Sequence, residues 1–146
     1  MLEPIVANAW KTGRVTSAVL VRKIDRDMPT LLLDESDAAF KGENEYAEAL
    51  RGILNNGHRR GAVVSLCVKA GGDFDLRDFS VFGPKAIAGI GKLPDTITDR
   101  SIRIELRRRA PGEHVGRFRY RDVMEQAGPM RRFRPEREEG RYIIPP

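Results

Sequence analysis

Thr30 to Glu35, TLLLDE, constrains the fold more than any other stretch of the chain. Three leucines run without a polar break, with Pro29 ahead of them and two acids, Asp34 and Glu35, behind. An apolar run this short, between a turn residue and a charged loop, reads as a strand buried on both faces. In an open α/β sheet, ligands gather at the carboxyl ends of such strands. Asp34 and Glu35 therefore stand where a metal-bound phosphate would sit. One carboxylate can hold Mg²⁺, and its neighbour can take a proton from an attacking water. The alternative is a polar strand end with no chemistry.

The elements around this strand follow from pattern. A short strand is expected near Ile5 to Trp10, ahead of Gly13. Thr16 has the residue type of an N-cap, and Ser17 to Asp27 repeats at helical spacing through Leu20, Val21 and Ile24. After the acids, Ser36 to Gly42 reads as a loop with Phe40 as an anchor. Glu43 to Asn56 is a helix with Tyr46, Ala47, Leu50, Ile53 and Leu54 on one face, and Gly57 is placed as its C′ residue. Ala62 to Val68 reads as another buried strand, which makes Cys67 a core residue. Ala70 to Asp73 is a turn, and Phe74 to Phe82 returns as the second arm of a hairpin. Lys85 to Ile90 reads as a further buried strand. Pro94 starts a short helix reaching Asp99. Ser101 to Arg107 alternates, with Ile102, Ile104 and Leu106 on one side and Arg103, Glu105 and Arg107 on the other, as in a strand with one wet face. Val115, Phe118 and Val123 suggest a short helix. Gln126 to Pro146 holds few aliphatic residues and is expected to be loose.

Charge divides the chain. Residues 1–99 carry 13 Lys and Arg against 14 Asp and Glu, whereas residues 100–146 carry 13 Arg against 7 acids. Arginine suits phosphate because its planar fork donates paired hydrogen bonds. A solvated arginine-rich surface is the equal alternative. No apolar run approaches the ~20 residues of a membrane span. The first residues lack a basic segment followed by an apolar core, and Cys67 is the single cysteine, so a cytoplasmic location is expected. His58 and His114 are too isolated to argue for a metal site.

Three segments together carry a family resemblance: TLLLDESDAAFKG (30–42), ALRGILNNGHRRG (49–61) and FGPKAIAGIGKLPDTITDRSIRIELRRR (82–109). In this order they resemble the second half of an AAA+-type P-loop ATPase core. More closely, they are similar to the ATPase-like domain of phage, prophage and plasmid primase–helicase proteins, over roughly residues 10–120. The resemblance implies an α/β fold, a three-layer sandwich with a mostly parallel central sheet plus a β-hairpin. It implies a core over 1–120 and a basic tail over 121–146.

Through the resemblance, Asp34 becomes the Walker B acid that binds Mg²⁺, and Glu35 the residue that orients or deprotonates the hydrolytic water. Arg100 takes the place of an arginine finger reaching a neighbouring subunit's γ-phosphate. Its other reading is a local cap paired with Asp95 or Asp99. The hairpin over 63–82 resembles one that faces a DNA channel, so Lys69 and Arg77 could meet phosphate backbone. An ordinary surface hairpin with an acidic tip, Gly71, Gly72 and Asp73, is the alternative. Mg²⁺ and ATP are the implied cofactors, and DNA, a homo-oligomer or a second chain the implied partners.

Two departures stand out. Gly89, Ile90 and Gly91 occupy the end of the strand where a polar sensor residue is usual. No GxxxxGK[ST] occurs, so nothing in this sequence cradles the β- and γ-phosphates. The expectation is an incomplete core with no ATP hydrolysis by the chain alone, completed by a polypeptide bearing the first strand and P-loop. A nucleic-acid-binding or oligomerisation module without catalysis is the second reading. A Mg²⁺-dependent nuclease using Asp34, Glu35 and Asp37 is the third, and it lacks a further acid on a neighbouring strand.

Overall fold

A computed structural model describes residues 2–12, 15–34, 45–90, 92–128, 136–138 and 141–143. Glu35, Asp37, the loop anchored by Phe40, and Gly91 lie outside the described residues. The described chain is mixed α/β. Strand β1 is Ala9–Thr12 and β2 is Thr30–Leu33, with helix α1, Ser17–Asp27, between them. Helix α2, Glu45–Asn56, leads to a hairpin of β3, Val63–Ala70, and β4, Asp73–Ser80. Strand β5 is Lys85–Ile87, and helix α3, Asp95–Thr98, follows.

β2 is the middle strand of a sheet ordered β1-β2-β5, parallel to both neighbours. All four of its residues are buried. Leu31 and Leu33 share a core with Leu20, Val21 and Ile24 of α1 and with Leu50, Ile53 and Leu54 of α2. Burying each such side chain contributes about 1.5–3 kcal/mol. α1 and α2 pack against each other, so both lie on the same face of the sheet. Among the described residues, the two helices that flank the sheet form one layer. The strand order explains it, because successive right-handed crossovers in one direction put their helices on one side.

Local chemistry sets the boundaries. The Thr16 hydroxyl accepts the Val19 N–H at 3.3 Å, capping α1. Met28 ends the helix in a left-handed conformation, its N–H bonded to the Ile24 carbonyl at 2.9 Å. Leu2 to Asn8 forms turns, so the first strand begins at Ala9, later than its sequence suggests. Asn8 has φ 45°, a region in which Asn is among the better-tolerated residues. Its side chain donates to the Asp27 carbonyl at 2.6 Å, and its own carbonyl accepts the Thr30 N–H at 3.0 Å. These bonds bring the chain ahead of β1 to the start of β2.

Gly57 closes α2 for a reason other than a left-handed cap. A Cβ there would fall within 3.0 Å of the Val81 and Ile53 carbonyls and of Lys85 Nζ, so crowding excludes any side chain. Lys85 Nζ donates to the carbonyls of Gly57 at 3.1 Å, Val81 at 3.0 Å and Gly83 at 2.8 Å. Burial pushes this ammonium down to about 8.

Four strand and tail expectations are corrected. The Ala62–Val68 segment is the first arm of the expected hairpin, but it is not a buried strand. Val63, Ser65, Cys67 and Lys69 are exposed, and Val64, Leu66 and Val68 are half-buried. Val64, Leu66 and Val68 pack against the core, so one face meets it, and Cys67 lies on the other. The Lys85–Ile90 strand shortens to three half-buried residues. Ser101–Arg107 forms no strand: every residue from Asp99 to Arg121 is exposed and the sheet ends at β5. Among the described residues it has no strand neighbour. Helix α4 is Tyr120–Gln126, and the stretch 126–146, expected to be loose, contains an antiparallel pair, β6, Glu136–Glu138, with β7, Arg141–Ile143. Tyr142 and Ile143 are β-favouring residue types. Val123 falls in α4 as expected, while Val115 and Phe118 lie outside it and are exposed.

Candidate functional site

The sheet orders one end of the molecule. Asp34 follows Leu33 at the carboxyl end of the central strand. Thr12 stands opposite Leu33 on one side and Ile87 on the other, so all three strand ends finish at one level. Lys11 Nζ reaches Asp34 Oδ2 at 3.3 Å, with the two side chains 53% and 59% exposed. A pair this open adds at most about 1 kcal/mol to stability. It does place a cation beside the acid, which eases the approach of an anionic ligand.

Lys11 is the site residue that sequence reasoning missed. Its position depends on the parallel register Lys11↔Leu32, which no local pattern specifies. The signal in the sequence is a lone lysine in an otherwise uncharged strand.

Ala88, Gly89 and Ile90, which follow β5, offer no polar side chain. The Ala88 N–H donates to the Leu33 carbonyl at 2.8 Å, extending the pairing one step beyond β5. Gly89 and Ile90 then run into solvent. Among the described residues, no three His, Cys, Asp or Glu side chains gather as a metal cluster. Asp34 is a single carboxylate at this end, and its Oδ2 is paired with Lys11.

Arg100 is exposed and bonds within its own chain. Its Nη1 donates to the Thr96 carbonyl at 2.5 Å and to Asn55 Oδ1 at 3.5 Å. The expected cap through Asp95 or Asp99 is therefore replaced by a backbone carbonyl of α3 and the last turn of α2. The carbonyl wins because it lies one helical turn back, within reach of a folded guanidinium.

Lys69 and Arg77 are not brought together. Directly opposed residues of an antiparallel pair share a face, and Lys69 opposes Phe74 whereas Arg77 opposes Leu66. The two cations therefore point to opposite faces of the ribbon. Arg77 also lies 5.2 Å from the centre of the Phe79 ring, with Arg22 at 6.0 Å from the same ring. That contact gives Arg77 a packing role. The hairpin turn uses Gly71 and Gly72 at φ 62° and 109°, positive angles that suit a two-residue connection.

Compared with family models, curated proteins and solved structures, the chain matches none. No helix among the described residues is long and apolar enough to cross a membrane.

Proposed function

We propose that this chain is an incomplete helicase-type, AAA+-like ATPase core linked to DNA replication of a mobile element. The observation that carries the reading is Asp34, at the carboxyl end of the middle strand of a parallel sheet, with Lys11 beside it. The order of elements supports it as well: an acid-ended strand, a helix, a hairpin, then a parallel strand. In this reading Asp34 holds Mg²⁺ shared with a nucleotide, and Glu35 orients the water. Arg100 turns its remaining nitrogens to a neighbouring subunit. The phosphate loop comes from another polypeptide segment, so the chain alone binds nucleotide weakly and does not turn it over.

Thermal melts with Mg²⁺ and millimolar ATP test this, because a ligand of the native state raises the melting temperature according to its affinity. The expected result is a small Mg²⁺-dependent shift that Asp34→Ala abolishes, with no ATP hydrolysis. No shift, or an equal shift in Asp34→Ala, counts against the reading.

A nucleic-acid-binding module is the second reading, favoured by a different region. Arg100 to Arg121 is exposed throughout and holds eight arginines against two glutamates. Arg107, Arg108 and Arg109 have no ion-pair partner among the described residues. Binding to a single-stranded oligonucleotide should weaken steeply with salt. Replacing these three arginines by alanine should lower the logarithmic salt slope by about 2. A slope unchanged in that variant excludes the arm as the binding surface.

A further inference from the structure

Ser101 to Arg107 has strand patterning and, among the described residues, no strand partner. Ile102, Ile104 and Leu106 are 94%, 75% and 92% exposed. A single exposed aliphatic residue is ordinary, but three on one side of an alternating run form a surface that ordinarily meets something. The opposite side carries charge. Arg103 Nη2 and Glu105 Oε1 lie 3.2 Å apart, so the two charges share that side.

The order of these residues is self-complementary. When two copies run antiparallel about Ile104, Ile104 faces its own counterpart. Ile102 of each copy faces Leu106 of the other. Arg103 of each copy faces Glu105 of the other. All aliphatic residues then share one face; on the other, Arg103 and Glu105 form two opposite-sign pairs and Arg107 of each copy faces Ser101 of the other. Such directly opposed pairs are the unit of sheet stabilisation. Neighbouring registers lack this property. Centring on Arg103 or on Glu105 sets like charges against each other, and centring on Leu106 sets Ile104 against Arg108. Parallel pairing in register sets Arg103 against Arg103.

We propose that this chain forms a homodimer in which Ser101 to Arg107 pairs antiparallel with the same segment of a second copy, about a two-fold axis at Ile104. One patch serving both copies is the ordinary form of a two-fold interface. Pairing also satisfies backbone groups that an unpaired edge leaves open. The inference does not depend on the nucleotide reading and stands if that reading fails.

Charge exchange in the full chain tests it, with sedimentation velocity across a concentration series as the readout. Arg103→Glu sets Glu against Glu, and Glu105→Arg sets Arg against Arg. Each variant alone should dissociate at least tenfold more readily than the parent chain. An equimolar mixture should recover a heterodimer, because every glutamate then meets an arginine. Both sites are exposed, so each variant should keep the parent's circular dichroism spectrum and monomer melting transition. A parent chain that stays monomeric at every concentration overturns the proposal and means that another protein, or none, supplies the strand. Variants that associate as tightly as the parent, or a mixture that does not recover, also overturn it.

Discussion

Leu31 and Ile104 are similar side chains in strand-like sequence, yet Leu31 is 1% exposed and Ile104 is 75% exposed. Leu31 has a parallel neighbour on each side and a helical layer over its face. Ile104 has neither among the described residues. Local pattern nominates a strand, and the existence of a partner decides whether one forms. Near Leu31 the partners come from the same chain, joined by helices that close the sheet. After Arg100, the described residues add no strand to the sheet beyond β5.

The largest effect that separates the two regions is truncation of their aliphatic residues. Leu31→Ala should cost about 2–5 kcal/mol in chemical denaturation, because the surrounding core cannot collapse into the space. Ile104→Ala at dilute, monomeric concentration should change stability by no more than about 0.5 kcal/mol. Equal losses would mean that the arm packs within the monomer. A smaller effect sharpens the account of the junction between α2 and β5. Gly57→Ala should cost about 1–3 kcal/mol, since the added methyl meets two carbonyls and Lys85. A neutral result there would show that the junction yields.

The remaining effect is a pH dependence confined to the packed region. Lys85 has a folded value of about 8 against an ordinary value of 10.5. Between these the unfolded chain binds more protons, so stability should rise as pH climbs from about 8 toward 10.5. Lys85→Met should lose that rise. Identical pH profiles for the parent and Lys85→Met would contradict the burial of this ammonium.

What was legible in the sequence follows the same division. The Thr16 cap, the helical stripe of Leu20, Val21 and Ile24, the buried run of β2 and the glycine turn of the hairpin depend on neighbours in sequence, and each was readable. The face of Cys67 was not, because an apolar run does not distinguish a strand with two neighbours from a hairpin arm with one. The ion pair of Lys11 with Asp34 depends on register between strands separated by a helix. The bond from Arg100 to the Thr96 carbonyl was hidden because carboxylates stood nearby as more obvious partners. At the candidate site, Asp34 lies at the strand end that its position implied, while Lys69 and Arg77 diverge because alternation puts them on opposite faces of their ribbon. The functional meaning of Asp34 rests on chemistry and resemblance rather than on geometry alone.

The contrast between the two regions is tested most directly by amide hydrogen exchange on the full chain at two concentrations, one dilute and one well into the range of self-association. Amides of Leu31 to Leu33 should be protected to the limit of global unfolding at both. Those of Ile102 to Leu106 should exchange almost unprotected when dilute and gain protection only when concentrated. Strong protection of Ile102 to Leu106 in the dilute monomer, or weak protection of Leu31 to Leu33 at either concentration, would contradict the account.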